Sequence, residues 1–145
     1  MPQIVGIEQC NRLCLTFDDV STESQDWRSV SRADVEATLA LARAWTRERP
    51  LLVHCRFGIS RSMSLAYLAM CDANPGREDE VARRLRDAAP FAVLNPRIVR
   101  VGAELLGEGV YTKGLRTMGV PQGGAPGPIA VELLLPSPIA ATPGS

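Results

Sequence analysis

The sequence is poor in the side chains from which metal sites and structural disulfides are built. It contains one histidine, His54, and four cysteines with no CxxC pair among them. A zinc site would need three or four cysteines drawn from separate elements, and structural disulfides belong mainly to secreted proteins. We therefore expect no resident metal or cofactor, and we interpret Cys10, Cys14 and Cys71 as small core residues.

The chain also lacks net charge and long apolar runs. Its 16 basic side chains balance 16 acidic ones, and no basic tract is interleaved with aromatic residues, so nothing favours nucleic acid or an anionic surface as a partner. No run approaches the roughly 18 apolar residues of a membrane span, and residues 1–10 do not resemble a signal peptide. The sequence predicts a cytoplasmic protein that binds neither nucleic acid nor membrane.

What the sequence does contain is a nine-residue run from His54 to Ser62, His-Cys-Arg-Phe-Gly-Ile-Ser-Arg-Ser. Apolar residues 51–53 precede it and a helix-forming stretch follows it, which predicts a loop between a strand and a helix. Such a loop directs backbone N–H groups and the positive end of a helix at an anion. In that field Cys55 should ionise readily, and Arg61 carries a planar fork suited to two phosphate oxygens. The run predicts a site that binds a phosphoryl group and attacks it with sulfur.

Apolar periodicity predicts the other elements. Residues 13–17 alternate like a strand, and residues 51–53 suit a central parallel strand. Four helices are expected. One begins at Ser31, with Asp34 in its first turn, and closes by Pro50. The others cover residues 60–72, 77–88 and 96–106, and the last is capped by Asn95 and terminated by Gly107. Together these elements predict an α/β fold with a mainly parallel central sheet flanked by helices. Arg83, Arg84 and Arg86 are interpreted as a solvated helix face.

Composition predicts one domain with a tail. Residues 1–110 are expected to form the folded domain, since 145 residues are too few for two cores. Residues 111–145 become rich in proline, glycine and alanine and carry few charges towards the end. We expect this tail to be disordered, because it cannot bury enough surface to offset its ordering entropy.

The nine-residue run resembles the signature of the cysteine-dependent protein tyrosine phosphatase superfamily, which has His-Cys, five loop residues and then Arg-Ser. The segment from Leu13 to Leu106 is similar to small bacterial members of the dual-specificity-like branch. The resemblance implies a tyrosine phosphatase-like fold and a metal-independent phosphoric monoester hydrolase. Members of the family usually carry another strand or two before the segment that matches Leu13. The resemblance therefore also implies an N-terminally truncated sheet, for which residues 4–7 are a strand candidate.

The motif gives each loop residue an expected role. Cys55 would be the nucleophile that forms a phosphocysteine, and Arg61 would hold two oxygens of the phosphoryl group. Ser62 would donate a hydrogen bond to the sulfur. Its alternative role, which does not exclude the first, is to cap the N-terminus of the following helix. His54 would orient the loop through hydrogen bonds. The phosphate cradle would be formed by the backbone amides of Arg56, Phe57, Gly58, Ile59, Ser60 and Arg61, with Gly58 at a position that requires a positive φ or a close approach.

A carboxylic acid on a separate loop must protonate the departing oxygen. In the resembling enzymes it is an aspartate just after the strand that precedes the helix before the catalytic loop. Asp19 matches that place, 55 − 19 = 36 positions before Cys55. Asp26 and Asp18 are the second and third candidates.

The substrate prediction rests on two side chains of the loop. Arg56 offers a cation and Phe57 an apolar wall, a combination that suits an aryl phosphate. The predicted function is hydrolysis of phosphotyrosine, and also of phosphoserine or phosphothreonine, in a phosphorylated protein or peptide. Two alternatives stay open: a weakly active or inactive module that binds phosphopeptides, and a phosphatase of a small molecule such as an inositol phosphate.

Overall fold

Five α-helices provide the regular secondary structure of residues 12–22 and 25–123, the part of the chain that the computed structural model describes. α2 lies at the centre and packs against α1, α3 and α4, while α5 packs against α3 and α4. Tyr67 and Leu68 of α2 are fully buried, so the helix that follows the cysteine loop is held on several sides. The helices are α1 Arg32–Ala44, α2 Arg61–Ala73, α3 Glu78–Ala88, α4 Pro96–Leu106 and α5 Gly109–Met118.

The helix starts follow the capping chemistry in the sequence. Ser31 and Asp34 form a capping box at α1: the Asp34 N–H donates to Ser31 Oγ at 3.2 Å and the Ser31 N–H donates to Asp34 Oδ2 at 2.9 Å. Asn95 caps α4, and Pro96 occupies its first turn. Gly107, with φ of 109°, ends α4 as predicted. The predicted starts of α1 at Ser31 and of α4 at Asn95 are therefore confirmed.

The predicted α/β fold is wrong for the described residues, which contain helices and no strand. Residues 13–17 keep the expected alternation, from the exposed Cys14 to the buried Phe17. They form no hydrogen-bonded ladder with residues 51–53, where the Leu52 side chain is 59 % exposed. A period of two predicts an extended segment, whereas a sheet also needs a partner strand at hydrogen-bonding distance. The strand candidate at residues 4–7 lies outside the described residues.

The folded part extends past the predicted boundary at residue 110, because α5 spans Gly109–Met118. Val110, Gly114 and Met118 are the buried face of this helix. Gly114 allows the close approach of Tyr67, whose hydroxyl donates to the Val110 carbonyl at 2.7 Å. Residues 111–118 therefore belong to the domain, and most of the predicted tail, residues 124–145, lies outside the described residues.

Arg86 does not belong to the predicted solvated face. Its guanidinium donates to the Met118 carbonyl at 2.7 Å and to the Ala92 carbonyl at 2.9 Å, and it also contacts the Ala89 and Pro90 carbonyls. Arg86 thus connects the end of α5 to the segment between α3 and α4. Arg83 and Arg84 are exposed, as expected. Within the described ranges, no helix combines the length and the hydropathy that a membrane span requires.

Candidate active site

The predicted cysteine loop lies at the N-terminal end of the buried helix α2. Cys55 Sγ is 3.3 Å from the hydroxyl of Ser62 and accepts a hydrogen bond from the Gly58 N–H at 3.2 Å. Gly58 has a φ of 70°, so the predicted need for a positive φ at this position is confirmed. The N-cap of α2 is Ser60, and Ser62 lies inside the helix with its hydroxyl on the sulfur. The alternative role of Ser62 as the helix cap is therefore wrong.

The surroundings of Cys55 favour its thiolate. Burial of the sulfur raises the pKa, but hydrogen bonds from the Ser62 hydroxyl and from the amides of Ser62, Gly58 and Phe57 outweigh burial. They bring the pKa of Cys55 to about 7, from an ordinary value of 9.0. By contrast, burial raises the pKa of Cys71 to about 12. Near neutral pH a large fraction of Cys55 is thus ionised, whereas Cys71 stays a thiol.

Arg61 is the first residue of α2, at the end of the cysteine loop. Its Nη1 donates to the Phe17 carbonyl at 2.9 Å, and no described carboxylate forms an ion pair with it. A carbonyl oxygen orients the guanidinium without neutralising it. The charge of Arg61 therefore remains beside the sulfur loop, where an anion would bind.

Asp19 is the candidate acid that the structure brings to this loop. Its Oδ1 accepts a hydrogen bond from Ser60 Oγ at 3.0 Å and another from Asn95 Nδ2 at 2.6 Å. Asp18 is engaged elsewhere, since its Oδ2 accepts from the Arg28 N–H at 2.9 Å. Asp26 is exposed and does not line the cleft beside Cys55. Of the three candidates, only Asp19 lies on that cleft.

A cleft of about 350 Å³ joins the sulfur, the cation and the carboxylate. One wall is apolar, and Phe57 stands 66 % exposed at its edge. The size suits a small ligand and lies at the lower end of ordinary ligand pockets. Besides Cys55, Arg61 and Asp19, the cleft is lined by Ser21, Phe57, Ile59, Ser60, Val93, Asn95 and Pro96.

The other residues with a role predicted from the sequence are Arg56, His54 and the cysteines outside the loop, and those that the structure describes lie partly at the surface and partly in the core. The Arg56 guanidinium lies 5.5 Å from the centre of the Phe57 ring, at the surface. His54 is exposed, and its side chain forms no hydrogen bond with another residue of the described part of the chain. Its role in orienting the loop therefore stays a prediction. Cys14 is exposed and is not a core residue, whereas Cys71 is buried as expected. Cys10 lies outside the described residues.

Sequence reasoning missed three cleft residues, Ser21, Val93 and Pro96. They come from two segments remote from the nine-residue run, and no motif marks them. Val93 reaches the cleft because its N–H donates to the Ile59 carbonyl at 3.0 Å, which joins the segment before α4 to the cysteine loop. Only the packing of these two segments beside the cysteine loop could have identified them.

Comparison with known proteins adds no relative, since no family model, curated protein or solved structure matches the chain. In the described part of the molecule, no group of three or more histidine, cysteine or acidic side chains is arranged to hold a metal ion. The arrangement at Cys55 must therefore be interpreted from its own geometry.

Proposed function

We propose that this chain is a cysteine-based phosphatase that hydrolyses phosphate monoesters on proteins or peptides, with phosphotyrosine as its main substrate and phosphoserine or phosphothreonine as further ones. The observation that carries the proposal is the sulfur of Cys55, which accepts hydrogen bonds from the loop and whose pKa lies at about 7. Arg61, without a carboxylate partner among the described residues, supplies the charge that a phosphate dianion needs. The proposal rests on this local geometry, because function resides in a site rather than in a fold.

The first step would transfer the phosphoryl group to Cys55. The thiolate attacks phosphorus, an S–P bond forms, and the P–O bond to the leaving group breaks. Arg61 and the loop amides stabilise the charge on the transferred oxygens. Asp19, which lines the same cleft as Cys55, gives its proton to the departing oxygen.

The second step would hydrolyse the phosphocysteine. Asp19, now ionised, accepts a proton from the attacking water, the new P–O bond forms, and sulfur leaves as a thiolate. The Ser62 hydroxyl, 3.3 Å from the sulfur, is placed to donate to the leaving thiolate. No step in this scheme requires a metal ion, and the residues of the cleft supply each proton transfer.

An aromatic phosphate ester suits the cleft best. Phe57, Ile59 and Val93 provide apolar surface along it, and Phe57 is more than half exposed where a ring could contact it. Ring contacts of this kind favour an aryl group over a small polyol phosphate, which offers no apolar face.

The test is hydrolysis of p-nitrophenyl phosphate in the presence of EDTA and a reductant. Wild type should turn over, and Cys55→Ser should abolish the activity while the protein stays folded by circular dichroism. A folded wild type that binds phosphotyrosine peptide without turnover would instead be a binding module. Faster hydrolysis of inositol phosphates than of phosphopeptides would overturn the substrate assignment.

A further inference from the structure

Asn95 occupies a junction that helix capping alone does not require. Its side chain is 3 % exposed, and both ends of the amide are used. Oδ1 accepts from the N–H groups of Arg97 and Ile98, at 2.9 and 3.2 Å, which caps α4. Nδ2 points the other way and donates to Asp19 Oδ1 at 2.6 Å and to the Val20 carbonyl at 3.2 Å. A cap needs only the oxygen, so the nitrogen contacts require a separate explanation.

The backbone of Asn95 is tied to the cysteine loop as well. Its N–H donates to Ser64 Oγ at 2.8 Å, and Ser64 Oγ donates to the Ser60 carbonyl at 2.7 Å. Ser60 in turn donates through its own hydroxyl to Asp19. Asn95 therefore connects the start of α4, the start of α2 and the segment that carries Asp19, and its placement is fixed by contacts with all three.

The two donors on Asp19 reach the same oxygen. Ser60 and Asn95 both donate to Oδ1, and no described residue donates to Oδ2. When such a carboxyl group is protonated, Oδ2 is the oxygen available to hold the proton, because Oδ1 already accepts two hydrogen bonds. Because Asp19 lines the cleft with Cys55, this arrangement sets which oxygen can exchange a proton with a substrate.

We propose that Asn95 is a positioning residue for the acid-base step, and that its amide holds Asp19 so that Oδ2 carries the transferred proton. This inference rests on the proposed phosphatase function. In the first step the Oδ2 proton moves to the leaving oxygen as the P–O bond breaks and the S–P bond forms. In the second step the same oxygen takes a proton from water. Asn95 lines the cleft, but its amide nitrogen donates to Asp19 and Val20 rather than to the sulfur of Cys55.

The test uses Asn95→Ser, which keeps an oxygen that can cap α4 but is too short to reach Asp19. Asn95→Asp is the second variant, since it keeps the size and the capping oxygen and loses the donor. Asn74→Ser is the matched control: Asn74 is also buried at a helix end, 5 % exposed, and its Nδ2 donates to the Met70 carbonyl at 2.9 Å. It does not line the cleft.

Two substrates separate positioning from general damage. Phenyl phosphate has a poor leaving group that needs a proton, whereas p-nitrophenyl phosphate has a better one that needs it less. A general acid contributes about 100- to 10,000-fold, so we expect kcat/KM of both Asn95 variants to fall at least about tenfold more on phenyl phosphate than on p-nitrophenyl phosphate. The decline of the phenyl phosphate rate at high pH, which marks loss of the acidic proton, should flatten. Asn74→Ser should leave the substrate ratio unchanged.

Each other outcome has a distinct meaning. If wild type turns over and the substrate ratio and pH profile of both Asn95 variants match those of wild type, Asn95 does not position the acid, and the proposed function stands. If kcat/KM of the Asn95 variants falls equally on both substrates, Asn95 supports the fold and does not position the acid. Asn74→Ser would give the same equal fall if it only destabilised the protein. Absence of turnover by folded wild type overturns the phosphatase proposal and this inference with it.

Discussion

Removal of one hydroxyl should change the ionisation of Cys55 in a way that can be measured without any substrate. Ser62 Oγ lies 3.3 Å from the sulfur, and its hydrogen bond is the foremost of the contacts that lower the pKa of Cys55 to about 7. A hydrogen bond to a charged group contributes about 1.5–3 kcal/mol, so Ser62→Ala should raise the pKa of Cys55 by about one to two units. The expected value lies between about 8 and 9, close to an ordinary thiol.

The assay is alkylation by iodoacetamide as a function of pH, with Cys10 and Cys14 replaced by serine. Cys71 does not interfere, because burial raises its pKa to about 12. The readout is the pH at the midpoint of the profile and not the alkylation rate. A thiolate of higher pKa is intrinsically more nucleophilic, which offsets part of the rate that is lost when fewer thiols are ionised. Alanine is compatible with the helix, because Ser62 lies inside α2.

The outcome that refutes the reasoning is a midpoint that stays at about 7 in Ser62→Ala, since the backbone amides would then account for the low pKa alone. A wild-type midpoint near 9.0 would show that the loop does not stabilise the thiolate at all. Cys55→Ser provides the control, and its alkylation profile should show no transition near pH 7.

Two further substitutions, each with a control substitution, test the packing that holds the site. Gly114→Ala places a methyl group against the Tyr67 hydroxyl, so overpacking and damage to the buried hydrogen bond should lower the free energy of unfolding by about 2–4 kcal/mol. Gly109→Ala, whose added carbon would lie 3.4 Å from Glu78 Cδ, should be neutral or stabilising in the same urea titration, and equal effects would contradict the packing of α5. Arg86→Lys loses the planar fork that reaches four carbonyls and should cost about 2–4 kcal/mol, whereas the exposed Arg83→Lys should change stability by less than about 0.5 kcal/mol.

The sequence could predict features that depend on nearest neighbours along the chain. The capping box at Ser31, the cap at Asn95 and the stop at Gly107 were all evident, because the groups that satisfy a helix end lie within a few residues of it. The positive φ of Gly58 was predicted on the same local grounds. The contact between Cys55 and Ser62 also falls within the nine-residue run.

The sequence pattern could not predict which distant segments pair with each other. Residues 13–17 and 51–53 have strand-like patterns, yet no ladder forms between them, because strand pairing depends on contacts that periodicity does not encode. α5 was missed for a related reason. Its glycines and β-branched residues are poor helix formers, and its buried face against α3 and α4 stabilises the helix instead.

The sequence by itself therefore determined which residues the loop contains: a cysteine, a positive-φ glycine, a serine and an arginine within one short run. The family resemblance ranked Asp19 ahead of Asp26 and Asp18, but only the tertiary structure decided which carboxylate lies beside the loop. Asp18, Asp19 and Asp26 are equivalent in residue type, and the packing of α4 against α2 brings Asn95 and Ser60 to Asp19 alone. A side chain's type is fixed by the sequence, but its partners across 41 or 76 positions are fixed only when the helices pack.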